Sequence, residues 1–93
     1  MDAKLKAKWV KALRSGRYRQ GIGSLYSRRR YCCLGVLAIT FKRRKEDIKG
    51  FAFLSDHNNC HGLLEHDAQK GLASMNDVLI PFDVIAGFIH ENL

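Results

Sequence analysis

The chain has 93 residues, of which 46% are hydrophobic and 27% are charged, and its formal net charge at neutral pH is +7. This composition predicts one globular domain, residues 1–93, and excludes a disordered tail. No apolar run approaches the ~20 residues of a membrane span, and lysines interrupt the N-terminal segment, which excludes a secretory signal. Three cysteines with no sign of export favour a reduced, cytoplasmic protein.

The charge is distributed unevenly along the chain. Residues 1–50 carry fifteen Lys and Arg against three acids, whereas residues 51–93 carry one Lys against six acids. A basic half is typical of proteins with an acidic partner, commonly DNA or RNA. Two other interpretations stay open. The charges can form an ordinary solvated surface, or the acidic half of one copy can dock on the basic half of another, which would give a homodimer.

The N-terminal segment DAKLKAKWVKALRSG predicts an amphipathic helix. Asp2 can cap its start, and Gly16 suits the left-handed position after its end. Leu5, Trp9 and Leu13 recur at helical spacing and predict a stripe that packs in the core. The lysines on the opposite flank can face solvent or an anionic ligand.

The next segment, RYRQGIGSLYSRRRY, predicts a short twisted hairpin. Aromatic residues alternate with polar ones, two glycines interrupt the pattern, and Ser27 with Arg28 can form a turn. The residues expected to point alternately inward are Tyr18, either Ile22 or Leu25, and Tyr31.

The central segment YCCLGVLAITF is apolar almost throughout, so periodicity cannot distinguish a buried strand from a buried helix. The following KRRKEDIKG has helical propensity and ends at Gly50. We predict one helix from about Tyr31 to Lys49, buried in its first half and exposed in its second. FAFL then forms a short strand or an extended segment.

Two helices are predicted in the C-terminal part, after the loop SDHNNCHG. LLEHDAQKGLASM is the first, and it ends at Asn76 and Asp77. PFDVIAGFIHENL is the second, with Pro81 at the first helical position. Its expected inward face consists of Phe82, Ile85, Phe88 and Ile89.

These elements predict a small α+β domain. It has an N-terminal helix, a short hairpin or small sheet, a central buried helix and two C-terminal helices. The predicted core consists of Leu5, Trp9, Leu13, Cys33, Leu34, Leu37, Leu72, Phe82, Ile85 and Ile89.

The segments KWVKALRSGRYRQGIGSL, YCCLGVLA, ASMND and FDVIAGFIHENL resemble a set of small, mostly uncharacterised phage and prophage proteins. The pattern covers Trp9–Leu25, Tyr31–Ala38 and Ser74–Leu93, about half of the chain. Members usually have a glycine-containing turn between ND and the final Phe, where this chain has VLIP. The resemblance implies a phage origin and a bacterial host cell, and it does not point to any known catalytic activity.

The adjacent cysteines Cys32 and Cys33 have two interpretations. Neighbours on a helix point about 100° apart, which suits packing on two sides better than binding one ion, and free cysteine is often buried. The alternative is a zinc site, because zinc prefers nitrogen and sulfur ligands in short-spaced pairs. Its candidate ligands are His57, Cys60, His61 and Cys32. We expect core packing, and no cofactor.

The clearest functional signal is a pair of basic runs, Arg28–Arg30 and Lys42–Lys45. Arginine pairs with phosphate through two hydrogen bonds, and tyrosines close by in the sequence can stack on bases. No sequence-reading motif is present, so contacts to a nucleic-acid backbone or to its shape are expected. The same groups could hold an acidic protein surface. The candidate contact residues are Arg17, Arg19, Arg28, Arg29, Arg30, Lys42, Arg43, Arg44 and Lys45.

Three functional classes follow from these observations. The first is a phage-encoded, non-enzymatic protein that inhibits or modulates a host protein or nucleoprotein complex. Its concrete form is an anti-defence role, including anti-CRISPR activity. The second is a basic regulator that binds nucleic acid. The third is a small zinc-binding module. No membrane partner is expected.

Overall fold

Helices and one small sheet build the fold in the computed structural model, which describes residues 1–60 and 62–93. The predicted α+β single domain is confirmed. The elements are helices α1 (Ala3–Arg14), α2 (Cys33–Thr40), α3 (Lys45–Ile48), α4 (His66–Asp77) and α5 (Phe82–Asn92), strands β1 (Tyr26–Ser27) and β2 (Arg30–Tyr31), and a 3-10 turn at Asp56–Asn58.

Helix α1 begins and ends where its capping residues predict. The carboxylate of Asp2 accepts a hydrogen bond from the backbone N–H of Leu5 at 2.7 Å, and Gly16 has a φ of +77° beyond the last turn. The apolar stripe packs on α5 and α2. Its largest side chain, Trp9, is fully buried, and the indole Nε1–H donates to the carbonyl of Cys33 at 2.9 Å.

Helix α2 occupies the centre of the molecule. Every residue from Tyr31 to Ala38 is buried, so the helix has no polar face. A helix surrounded by protein shows no amphipathic period, which is why its sequence pattern could not be told from that of a buried strand. Helices α1 and α4 pack against it.

The prediction of one helix over residues 31–49 is wrong in its second half. Lys42 has a φ of +66°. Its backbone N–H donates to the carbonyl of Ile39 at 2.9 Å, and the N–H of Arg43 donates to that of Ala38 at 3.0 Å. This pair of bonds is the Schellman motif, which closes a helix. The charged run therefore forms a loop and the separate short helix α3.

Residues 51–54, the predicted FAFL strand or extended segment, form no strand. The side-chain amide of Gln69 pairs with Leu54 instead. The backbone N–H of Leu54 donates to Gln69 Oε1 at 2.9 Å, and Gln69 Nε2 donates to the carbonyls of Leu54 at 3.3 Å and Leu64 at 2.9 Å. A buried side chain on α4 thus satisfies backbone groups that a neighbouring strand would otherwise satisfy.

The connection between α4 and α5 makes a tight turn without glycine. Leu79 takes a φ of +60°. Its N–H donates to the carbonyl of Asn76 at 2.9 Å, and the N–H of Ile80 donates to that of Met75 at 3.2 Å. The segment VLIP therefore closes α4 with the same motif, and Pro81 immediately precedes α5 instead of occupying its first position.

The core forms where α1, α2, α4 and α5 meet. All the predicted core residues are buried except Leu5, which is partly buried at its edge. The inward orientation predicted for Phe88 is wrong, since 42% of it is exposed. Ala86 takes its place on the inner face of α5 and is fully buried. Among the described residues, no helix is long and apolar enough to cross a membrane.

Candidate functional site

The candidate site is built on the short hairpin and the chain segments that pair with its two edges. Tyr26 pairs with Tyr31 in the antiparallel register of β1 and β2. Gln20 bridges to Tyr31 on one edge, and Lys49 bridges to Tyr26 on the other. Four chain segments therefore lie side by side, although only two of them are long enough to be strands. This arrangement brings residues from both basic runs to one surface.

Three tyrosines pack together on this small sheet. The ring centroids of Tyr18 and Tyr31 are 5.1 Å apart, and those of Tyr26 and Tyr31 are 4.8 Å apart. Both pairs are tilted, at 49° and 43°, which is a favourable aromatic geometry. Tyr31 is buried between its neighbours, whereas Tyr18 and Tyr26 are half-buried. The outer two rings can therefore contact both the protein and a ligand.

Basic side chains surround the tyrosines in a cleft of about 580 Å³, which we call the tyrosine cleft. The ammonium group of Lys45 lies 5.8 Å from the centre of the Tyr26 ring. No residue that lines the cleft is acidic, so its positive charge is not neutralised locally. The lining residues are Arg17, Tyr18, Arg19, Tyr26, Arg29, Tyr31, Ile39 and Lys45.

The phenol of Tyr31 remains protonated in this environment. Burial raises the pKa of Tyr31, and the Lys45 ammonium, which lies beside the phenol and hydrogen-bonds to it, acts in the opposite direction. The neutral phenol gives the cleft a polar group without adding a negative charge. The cleft therefore combines aromatic surface, hydrogen-bonding groups and cations.

The predicted contact residues fall into three groups in the structure: those in the tyrosine cleft, those in a second groove and those in neither. The tyrosine cleft holds Arg17, Arg19, Arg29 and Lys45. Arg28 and Arg30 line a second groove of about 380 Å³ on the other face of the hairpin. The remaining three predicted contacts, Lys42, Arg43 and Arg44, line neither.

Two of those three cations have intramolecular partners. The Arg43 guanidinium lies 5.1 Å from the centre of the Phe41 ring. Arg44 forms an ion pair with Asp47, with 3.7 Å between Nε and Oδ2. This is the one ion pair between residues that the structure describes. Within residues 1–60 and 62–93, no ion pair joins any other Lys or Arg to an acid.

The adjacent cysteines lie in the core, as their packing interpretation predicts. Cys32 precedes α2 and caps it, with its sulfur accepting from the backbone N–H of Gly35 at 3.4 Å. Cys33 is fully buried, and its thiol donates to the carbonyl of Leu72 at 3.7 Å. Burial raises the pKa of Cys32 to about 11, so its thiol is neither a ready ligand nor a nucleophile.

Two of the other zinc candidates lie on or just after the 3-10 turn at Asp56–Asn58. His57 is exposed on the 3-10 turn, and Cys60 is buried with its thiol donating to the carbonyl of Asn58 at 3.3 Å. Within residues 1–60 and 62–93, no three His, Cys, Asp or Glu side chains are grouped so that they could hold a metal ion. The remaining candidate, His61, lies outside the described residues.

Comparison with protein families adds one finding. The model of a family described as a domain of unknown function, DUF8296, matches residues 1–58. The chain belongs to the DUF8296 family. No curated protein and no solved structure matches it. Every residue that lines the tyrosine cleft lies inside the DUF8296 segment, as do α1, α2 and the hairpin.

The residue that holds this DUF8296 segment in place was missed by sequence analysis. Asn76 is fully buried. Its Oδ1 accepts from Gln20 Nε2 and from the backbone N–H of Cys33, both at 3.1 Å, and its Nδ2 donates to the carbonyl of Gly21 at 2.7 Å. Gln20 also donates to the carbonyl of Ile80 at 2.7 Å. An asparagine near a helix end usually faces solvent, so the sequence carries no signal of this role.

Proposed function

We propose that this protein is a small, non-enzymatic binding protein of phage origin, and that it modulates a host nucleoprotein complex by holding a single strand of nucleic acid. The observation that carries the proposal is the tyrosine cleft, where four cations surround three packed tyrosines and no acid is present. An anti-defence role in the host cytoplasm, including inhibition of a CRISPR complex, is its concrete form.

The chemistry of the cleft matches both parts of a nucleotide. The guanidinium groups of Arg17, Arg19 and Arg29 can each hold a phosphate through two hydrogen bonds. The half-buried rings of Tyr18 and Tyr26 offer faces on which bases stack, worth about 1–3 kcal/mol for each base. An acidic protein surface would use the cations but would leave the tyrosine faces without a matching group.

The geometry favours an unpaired strand over a duplex. The bases of a duplex are stacked on each other and present only their edges in the grooves. The tyrosine cleft instead presents ring faces, which need bases that are free to turn outward. Contacts of this kind depend little on sequence. Because the bases must be free to turn outward, binding requires an unpaired strand, such as the guide or target strand of some nucleoprotein complexes.

The charge contribution is tested with a double variant and a matched control. Arg17→Ala/Arg19→Ala removes two cations of the cleft, and Lys4→Ala/Lys70→Ala removes two exposed cations that do not line it. For a fluorescent oligothymidylate, we expect the first variant to bind about tenfold more weakly or worse. The slope of the logarithm of its binding constant against the logarithm of salt concentration should also become shallower by about 0.7 for each lost phosphate contact. Equal losses in both variants would contradict a localised site.

The stacking contribution is tested at Tyr18. Tyr18→Ala should weaken binding of the same oligonucleotide by about tenfold, whereas Tyr18→Phe keeps the ring and should bind like the parent. If Tyr18→Ala also binds like the parent, the tyrosines serve the fold alone.

The biological target is tested by capture from the host lysate, with and without nuclease. A nucleoprotein complex that is lost after nuclease treatment supports the proposal. A discrete protein that stays bound after nuclease overturns it, in favour of an inhibitor that covers a protein surface.

A further inference from the structure

The tip of the hairpin has a backbone that its residues do not favour. Ser27 and Arg30 are paired across the hairpin, and Arg28 and Arg29 form the two-residue turn between them. The φ angles of these two residues are +51° and +65°. Two consecutive positive φ angles are typical of a type I′ turn, where Asn-Gly is strongly preferred because a Cβ is crowded in this conformation.

The turn closes the hairpin, but its two arginine side chains add no polar bond to the described residues that would offset this strain. Both tip side chains are exposed, and no side-chain hydrogen bond or ion pair joins Arg28 or Arg29 to another described residue. Arg30 differs, since its guanidinium donates to the carbonyl of Gln20 at 3.3 Å. Strained residues without structural compensation are characteristic of functional sites. The arginines at the tip therefore call for an explanation outside the folded chain.

The two faces of the hairpin open onto different concavities. Side chains alternate across a strand, so Tyr26 and Tyr31 lie on one face and their neighbours Ser27 and Arg30 lie on the other. The first face belongs to the tyrosine cleft and the second to the groove of about 380 Å³. The tip residues divide in the same way, with Arg29 lining the cleft and Arg28 lining the groove. The hairpin is therefore a ridge between two basic concavities, with the tip as its crest.

The second groove has the character of a nucleotide-binding surface as well. Its polar wall includes Arg28, Arg30 and Ser27, and none of its lining residues is acidic. Its apolar wall includes Ile22 and Leu79, which are 56% and 59% exposed. Exposed aliphatic side chains beside guanidinium groups can contact a sugar or base while the cations hold the phosphate.

We infer that the ligand crosses the hairpin tip, with Arg29 holding one phosphate in the tyrosine cleft and Arg28, beside Arg30, holding a second phosphate in the groove. This inference rests on the proposed function and makes it more specific. The ligand is a continuous strand of several nucleotides, not a mononucleotide, and the strained arginine turn is the element that it crosses.

The test uses a variant that improves the turn while removing its charge. Arg28→Asn/Arg29→Gly installs the residues that a type I′ turn prefers, so its Tm should rise above that of the parent. Its affinity for a long fluorescent oligothymidylate should fall about tenfold or more. Arg28→Lys/Arg29→Lys is the matched control. It keeps both charges and the strain, so it should retain the parental Tm, and because it loses only the paired hydrogen bonds of the guanidinium groups, it should lose less affinity than Arg28→Asn/Arg29→Gly.

Oligonucleotide length gives a second, independent readout. Parental affinity should rise steeply between a mononucleotide and a strand long enough to reach both concavities. In Arg28→Asn/Arg29→Gly this rise should be much smaller. Equal affinity of the parent for short and long strands overturns the crossing path.

The outcomes separate this inference from the function on which it rests. If the parent binds the oligonucleotide, Arg17→Ala/Arg19→Ala loses binding and Arg28→Asn/Arg29→Gly does not, the crossing path is wrong and the nucleic-acid site remains. If the parent binds no oligonucleotide of any length, the proposed function is wrong, and the inference is overturned with it.

Discussion

Two polar regions of this protein, the buried amides of α4 and the arginines of the hairpin tip, differ in charge, burial and hydrogen bonding. Asn76 and Gln69 are uncharged and buried, and each makes three hydrogen bonds. The partners of Asn76 are all far away in the sequence, whereas Gln69 bonds to Leu54 and to the nearby Leu64. Arg28 and Arg29 are charged and exposed, and they occupy a strained backbone. Buried amides stabilise the fold because each polar atom is satisfied. The polar atoms of these two arginines make no side-chain hydrogen bond to another described residue, and the binding that we propose uses them.

The largest effect on stability is expected from substitution of the buried Asn76. Asn76→Ala leaves the backbone N–H of Cys33 and the carbonyl of Gly21 without this partner, and the amide of Gln20 keeps only the carbonyl of Ile80. Each unsatisfied buried group costs about 1–3 kcal/mol, so we expect the free energy of unfolding to fall by about 4 kcal/mol. Urea denaturation monitored by circular dichroism measures this change.

The matched control for Asn76 is another helical asparagine. Asn92 is exposed and donates to the carbonyl of Phe88 at 2.9 Å. Asn92→Ala should change the free energy of unfolding by less than about 0.5 kcal/mol. A similar loss in both variants would contradict the structural role of the buried amide.

A second large effect is expected at Gly35, where α2 lies against the chain that leads into the hairpin. A Cβ on Gly35 would overlap the backbone carbonyl of Leu25. Backbone cannot move aside as a flexible side chain can, so Gly35→Ala should cost about 3 kcal/mol. Gly71→Ala is the control, because a Cβ there meets open space. It should stabilise α4 by about 0.5–1 kcal/mol, and thermal unfolding of both variants checks the contrast.

Alkaline pH should lower the free energy of unfolding through the buried cysteines and not through the arginines of the hairpin tip. Burial raises the pKa of Cys32 from 9.0 to about 11, and burial together with the neighbouring Cys32 raises that of Cys33. The folded chain then retains protons that the unfolded chain loses. The free energy of unfolding should therefore be unaffected by these thiols below pH 9 and fall as pH rises from about 9 to about 11. The expected slope is about 1.4 kcal/mol per pH unit for each thiol.

The thiol contribution is isolated by comparison with Cys32→Ser/Cys33→Ala. Serine can cap α2 as Cys32 does, and neither new side chain ionises in this range. Denaturation measured across this pH range should give a flatter curve for the variant. If the two curves are parallel, the alkaline loss comes from other groups.

The smallest effect on stability is expected at the charged surface. Arg17→Ala/Arg19→Ala removes exposed side chains, so its free energy of unfolding should stay within about 0.5 kcal/mol of the parent. The same variant is the one expected to lose oligonucleotide binding. A large loss of stability would mean that these arginines support the fold, and the contrast between the two regions would then fail.

Sequence patterns were sufficient where a single element carries its own signal. Helix α1 follows from its cap residue and its apolar stripe, and α5 follows from its period, apart from Phe88. The aromatic and basic composition of the hairpin also pointed to the region of the tyrosine cleft. These features depend on neighbours one or two turns away, so they can be read along the chain.

Only the tertiary structure decided the features that join distant segments. The break after α2 depends on a lysine in a left-handed conformation, and no glycine or proline marks it. Lys45 reaches Tyr26 because that break redirects the charged run toward the hairpin. Asn76 is buried because three distant polar groups meet at its position. Composition and local periodicity therefore determined helices α1, α4 and α5 and the chemical character of the surface, whereas burial and backbone closure, which depend on contacts far apart in sequence, selected which residues form the cleft.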